Sequence, residues 1–149
     1  MTSSNQIRIL ATIPLLVSLS LQAAPPQVNV FKTTTCGCCA KWVDHMRANG
    51  FNPIVKDVPS TAEYRLRYRV PDQLQSCHTA IVDGYTIEGH VPAADIHRLL
   101  RTRPKAKGLA VPGMPLGSPG MESSRRDSYS VLLFTSDGGA SVFKKYTGD

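Results

Sequence analysis

From Val28 to Lys32 apolar and polar side chains alternate, the two-residue period of a strand with one buried face. Three threonines, residues 33 to 35, then lead into a cysteine cluster. Between Cys39 and Asn49 the apolar residues Trp42, Val43 and Met46 recur at helical spacing, and Gly50 supplies a stop. Phe51 to Val58 reads as a second strand, and the intervening helix makes a crossover, so the two strands are expected parallel with a right-handed connection. Thr61 to Tyr68 predicts a short helix capped by Ser60 or Thr61 and ended by Pro71. Thr79–Val82 and Thr86–Glu88 flank Asp83-Gly84-Tyr85 as a hairpin, and Pro92 and Ala93 open a helix to about Arg101 that buries Ile96, Leu99 and Leu100. Gly108 to Glu122 holds four glycines and three prolines in fifteen residues and reads as a loop without helix. Ser130–Thr135 and Ala140–Tyr146, around Ser136-Asp137-Gly138-Gly139, form a terminal hairpin. The expected order is β-α-β-α-β-β-α, then the Gly/Pro-rich loop and the hairpin.

This α/β order, with cysteines at the first strand-to-helix turn, resembles the thioredoxin-like fold over Val28 to Arg103. Ahead of it, Arg8 precedes an apolar run from Ile9 to Leu21, interrupted by Pro14 and Ser18 and followed by Ala23 and Ala24, the pattern of a signal peptide. Thirteen residues fall short of the ~20 that a spanning helix needs, so cleavage after Ala23 is expected, leaving no membrane span. No cysteine stands there for a lipid anchor. Residues 24–149 then form one domain of ordinary globular composition, with a periplasmic location. The leader carries Arg8 and no acid, so 17 cations against 11 acids become 16 against 11, and the net charge falls from +6 to +5. Arg65, Arg67, Arg69, Arg98, Arg101, Arg103, Lys105 and Lys107 supply most of the excess, which tolerates anionic partners without demanding them. A nucleic-acid partner would want these cations on one face with interleaved aromatics, and an exported protein rarely meets one; that class is set aside.

The chemistry concentrates in four cysteines. Cys36, Cys38 and Cys39 sit at a helix start, where free amides and the helix dipole favour thiolate. Cys36 and Cys39 have the C-x-x-C spacing of a redox pair, but Cys38 is surplus to a dithiol couple. A disulfide staple is the plain alternative in an oxidising compartment, and four cysteines permit three pairings; the ring between adjacent Cys38 and Cys39 would be strained. In a thioredoxin-like fold the residues before the third strand lie beside the first helix's start, which here brings in Ser76-Cys77-His78-Thr79. Thiol-disulfide oxidoreductases usually carry a proline there, and no proline occurs between Gln73 and Ala80. A thiol and an imidazole take its place, a donor set suited to Cu(I) or Zn(II). Structural zinc sites space their ligands in two distant pairs, whereas C-x-C-C with one remote cysteine lets thiolates bridge several Cu(I) ions. Met114 and Met121 add soft thioethers within the loop.

Four separated segments carry a more specific resemblance: Cys36-Gly37-Cys38-Cys39 running on to Trp42 and His45, Cys77-His78-Thr79-Ala80, Glu88-Gly89-His90-Val91-Pro92, and Gly108 to Glu122. Together they resemble the CopG-type copper-resistance family over nearly the whole mature chain. That resemblance implies a thioredoxin-like fold, a periplasmic location and a multinuclear, cysteine-bridged copper cluster, with copper redox chemistry as the activity if the protein is an enzyme. Carried over, Cys36, Cys38, Cys39 and Cys77 are the expected ligands. His78 and His90 are the candidate imidazole ligands, although Cys77 and His78 can both ligate only where the backbone is irregular, since neighbours in a strand face opposite ways. His45 is expected to point aside from the cluster and His97 to be solvated. The expected function is periplasmic copper binding in copper resistance, with copper ions and other periplasmic copper-handling proteins as partners. The alternatives are a thiol-disulfide oxidoreductase using Cys36 and Cys39, and a disulfide-stapled binding module or zinc store.

Overall fold

The computed structural model describes residues 24–149, and the leader reading of residues 1–23 lies outside them. The elements run β1 (Gln27–Lys32), α1 (Gly37–Ala48), β2 (Asn52–Asp57), α2 (Ala62–Arg67), β3 (Thr79–Val82), β4 (Tyr85–Glu88), α3 (Ala93–Thr102), β5 (Gly108–Ala110), β6 (Tyr129–Phe134) and β7 (Ala140–Tyr146). A single 3-10 turn at Asp72–Leu74 separates α2 from β3. The seven strands form one mixed sheet in the order β2-β1-β3-β4-β5-β6-β7. No helix among the described residues is long and apolar enough to cross a membrane.

The predicted crossover is present, with β1 and β2 parallel in the register Val28↔Pro53 and α1 between them. β3 runs antiparallel to both β1 and β4. The turn between β3 and β4 is Asp83-Gly84, with φ of +47° and +83°, the two left-handed residues that let a two-residue hairpin keep the strands' twist. β5 corrects the expectation of an unbroken loop from Gly108. It pairs parallel with β4, Ile87 against Leu109, and antiparallel with β6, so β4-α3-β5 is a second crossover unit. Three residues are too short to display a period, and the glycines and prolines that follow masked the strand.

One face of the sheet presents Val28, Val30, Ala80, Val82, Ile87, Leu109 and Val131 to Trp42, Val43 and Met46 of α1 and to Ile96 and Leu99 of α3. Trp42, Met46, Ile96 and Leu99 are fully buried, each contributing on the order of 1.5–3 kcal/mol by leaving water. Leu100 is only partly buried at the edge of this core. The opposite face carries a smaller cluster of Val70, Leu74, Ala110 and Phe134, and Phe31 stacks on Tyr64 of α2 with ring centres 4.0 Å apart. The β6–β7 hairpin is tied to α3 by Tyr146, whose hydroxyl donates to Asp95 at 2.6 Å, and by Arg98, which lies 3.7 Å over the Phe143 ring. The end of β1, the start of α1, the approach to β3 and the exit from β4 thus meet at one edge of the molecule.

Candidate metal centre

Cys36 is the N-cap of α1, with extended backbone angles, and its amide donates to the Thr33 carbonyl at 3.1 Å. α1 starts at Gly37, two residues before the expected Cys39, so Cys38 and Cys39 lie within its first turn. No side chain caps this helix start and no acid stands in its first turn, which leaves its positive end to the sulfurs. Cys36 and Cys39 are joined as a disulfide, while Cys38 and Cys77 are free thiols. Cys38 Sγ lies 3.6 Å from Cys36 Sγ and 3.9 Å from Cys77 Sγ. Cys39 is buried, with its sulfur 3.7 Å from the Cys77 carbonyl oxygen.

Cys77 joins this sulfur group to a second one. Its Sγ stands 2.8 Å from His90 Nε2 and 3.6 Å from His78 Nδ1. His90 Nδ1 lies 2.8 Å from the Pro119 carbonyl, which can only accept, so the proton sits on Nδ1 and the neutral ring turns its Nε2 lone pair toward Cys77. The donor atoms of Cys36, Cys38, Cys39 and Cys77 all lie within 4.8 Å of one another, and so do those of Cys77, His78 and His90. Cys77 and His78 reach the same place because they precede β3 and escape the alternation of a strand.

The electrostatics favour neutral donors until a cation arrives. Burial, reinforced by the neighbouring Cys38, pushes the Cys77 thiol up to about 12. His78 is fully buried and lowered to about 3 by that burial, with His90 and Lys32 adding to the effect. Burial lowers His90 as well, opposed by its bond to Pro119 and by Glu122. Neutral imidazole is the ligating form, and a metal bound here must displace the Cys77 proton, so uptake releases protons. His78 Nε2 is buried without a hydrogen-bond partner, and the ring is held by Trp42, 4.4 Å away, and edge-on to His90 at 5.2 Å. A soft donor set with an orphaned buried nitrogen beside it fits a thiophilic cation.

The Gly/Pro-rich segment closes over this group. Gly117 and Met121 donate to Met121 and Ser118 carbonyls at 2.8 Å each, and Leu116 and Asp127 exchange two bonds of 2.9 Å, so the loop has its own fixed shape. Ser76 Oγ donates to the Gly113 carbonyl. Gly120 lies so near the start of α1 that a Cβ on it would stand 2.6 Å from the Cys38 carbonyl oxygen and 2.9 Å from the Trp42 nitrogen. Met114 is 52% exposed.

The other histidines have structural work. His45 Nε2 accepts the Ala93 amide at 3.0 Å, capping α3, and His97 bonds the Asn49 carbonyl at 2.8 Å while stacking on Phe51. Glu88, which the sequence marks only as a member of the Glu88-Gly89-His90-Val91-Pro92 motif, is fully buried with Ser76 N–H and Thr79 Oγ1 donating to its two carboxylate oxygens at 2.8 and 2.7 Å. An acid ending the short strand Tyr85-Thr86-Ile87-Glu88, two residues before a candidate histidine, was the signal that could have marked it.

Two solved structures, titled copper resistance protein CopG, forms 1 and 2, are 46% identical in sequence to this chain. Form 1 superposes with a TM-score of 0.79 over 83% of this chain and 99% of its own, and form 2 with 0.78 over 82% and 98%. The chain belongs to the CopG copper resistance protein family. A family model described as a protein of unknown function, DUF411, also matches residues 74–121. That segment runs from Leu74 through Cys77, His78 and His90 to Met121, so it takes in the second donor group and most of the covering loop. No curated protein matches the chain.

Proposed function

We propose that this CopG-family protein is a periplasmic copper-resistance protein that holds Cu(I) in a cysteine-bridged, multinuclear cluster of Cys36, Cys38, Cys39 and Cys77, with His78 and His90 as imidazole ligands on its inner side. The observation that carries the reading is the convergence of four sulfurs within 4.8 Å of one another, with Cys77 shared by a second group containing two buried imidazoles. Thiolates favour Cu(I), and imidazoles also suit Cu(II), so the mixed set supports exchange of copper between its two oxidation states. A thioredoxin-like core is supported by the β2-β1-β3-β4 order with β1 and β2 parallel. Export through a cleaved leader ending at Ala23 is part of the same proposal.

With Cys36 and Cys39 joined, two thiols remain; two electrons and two protons open the disulfide and yield all four. The same disulfide favours the second reading, a thiol-disulfide oxidoreductase in which Cys36 attacks and Cys39 resolves. The two readings part at Cys38, a spectator to a dithiol couple and a ligand in a cluster. Reduced protein is titrated with Cu(I) against a competing chelator. Cys38→Ser and Cys77→Ser should each lower bound Cu(I) per chain by a similar, large amount, because a neutral hydroxyl is a weak donor to a soft d¹⁰ ion. Wild-type copper binding by both variants would sink the cluster and leave the dithiol.

A further inference from the structure

We propose that Glu88 is a positioning residue for the metal centre, its buried carboxylate holding Ser76–Thr79 in the irregular course that turns both Cys77 and His78 into one site. The inference rests on the copper reading for its purpose, but its geometry stands apart from it. Successive residues of an extended chain face opposite ways, yet the donor atoms of Cys77 and His78 lie within 4.8 Å of each other and of His90. Something must hold the chain out of its ordinary alternation at that place.

The two oxygens of Glu88 bracket the ligand pair. One accepts the Ser76 amide at 2.8 Å, immediately before Cys77, and the other accepts the Thr79 hydroxyl at 2.7 Å, immediately after His78. Arg65 reinforces one side by donating to the Ser76 carbonyl at 3.3 Å, and the Gly89 amide donates to the His78 carbonyl at 2.9 Å. Glu88 itself is wholly inaccessible to water. Burying a carboxylate is unfavourable unless hydrogen bonds replace its hydration, and an apolar side chain would pack the strand without that penalty. What the acid adds is a pair of acceptors spaced to reach both ends of the segment. Its place at the end of β4, paired with Thr79 and two residues before His90, sets all three donors of the second group relative to one buried side chain. Partners of metal ligands acting in this way typically change metal affinity by about 10–100-fold when removed.

The test uses the full mature chain. Glu88→Ala removes both acceptors; Glu88→Gln keeps one acceptor for Ser76 and presents an amide that the Thr79 hydroxyl can accept from. Two measurements are made on reduced protein: Cu(I) affinity against a competing chelator, and the rate at which iodoacetamide alkylates Cys77 in the metal-free state, mapped by peptide mass. Glu88→Ala is expected to melt cooperatively, to bind Cu(I) about 10–100-fold more weakly, and to expose Cys77 to faster alkylation. Glu88→Gln is expected to restore both readouts toward wild type. If wild type itself binds no Cu(I), the copper reading falls, while the alkylation rates still decide the positioning role. Wild-type behaviour of Glu88→Ala in both measurements, or equal damage in the glutamine variant, would overturn that role. Should Glu88→Ala fail to fold, Thr79→Val removes one arm at constant shape and should speed Cys77 alkylation; an unchanged rate would equally overturn it.

Discussion

Gly120→Ala is the sharpest probe of the loop that covers the candidate centre. Gly120 has φ +88°, and an added methyl would stand 2.6 Å from the Cys38 carbonyl oxygen, 2.9 Å from the Trp42 nitrogen and 3.2 Å from His90 Nδ1. Two penalties follow. A left-handed backbone is unfavourable for alanine by about 1–2 kcal/mol. Overlap with atoms of a helix backbone, which cannot swing away as a side chain can, adds about 1–3 kcal/mol on the scale of overpacked cores. Gly113→Ala, in the same loop, separates the two: φ there is +67°, and nothing lies within 4 Å of the added carbon. The difference between the variants is therefore the overlap alone, equivalent to about 5–150-fold in the population of the closed loop. Opening the loop withdraws the Pro119 carbonyl from His90 Nδ1 and frees the imidazole that faces Cys77. Gly120→Ala should accordingly weaken Cu(I) binding in chelator competition and speed air oxidation of the reduced thiols, relative to Gly113→Ala. Both variants should keep the far-ultraviolet circular dichroism of wild type, since residues 112–122 lie outside the two hydrophobic clusters. Equal affinity and equal oxidation rates in the two alanine variants would refute the reasoning that Gly120 seats the loop on the centre.

Two further outcomes concern the hairpin. Tyr146→Phe deletes the 2.6 Å bond to Asp95, a residue only 4% exposed, and should lower stability by about 1–3 kcal/mol in urea unfolding, leaving Cu(I) binding unchanged. Burial, with the Asp95 charge adding to it, pushes the Tyr129 phenol up to about 12, above its ordinary value of 10.0. A phenol raised on folding stabilises the fold fully below pH 10 and loses that contribution as pH rises through 12, so the melting temperature should decline across that interval. Phenolate absorbance should appear later in folded than in unfolded protein, and coincident titration would contradict the burial assigned to Tyr129.

Much of the α/β frame was legible because its elements are long enough to show a period. Trp42, Val43 and Met46 mark one helical face, and all three are buried in α1. Asp83-Gly84 marks a turn that only two left-handed residues can make, and both adopt positive φ. The strand at Gly108–Ala110 was not legible, because its identity comes from parallel pairing with Thr86–Glu88 across α3 and not from its own three side chains. The early start of α1 has a similar cause: Gly37 and Cys38 are poor helix formers, and the tertiary setting of the helix decides where it begins.

The site divides along the same physical line. Cysteines advertise themselves by type and spacing, and Cys77 could be brought to Cys36, Cys38 and Cys39 through the fold that the order of elements resembled. Roles that depend on which atom faces which cannot be read that way. His78 and His90 differ from His45 and His97 only in their partners: His45 caps α3 and His97 bonds a helix-terminal carbonyl, whereas His90 has its tautomer set by the Pro119 carbonyl and His78 keeps a buried nitrogen unpaired. The covering loop supplies the decisive contact through a backbone oxygen, which no side-chain pattern encodes, and a glycine admits it by having no side chain at all. Glu88 acts through two hydrogen bonds to a segment nine to twelve residues earlier, a relation created only when β3 and β4 pair. Donor identity is thus local information, while donor orientation is produced by the sheet and the loop. Substitutions that move the backbone at Gly120 or release the segment held by Glu88 should disturb the centre while every cysteine and histidine remains in place.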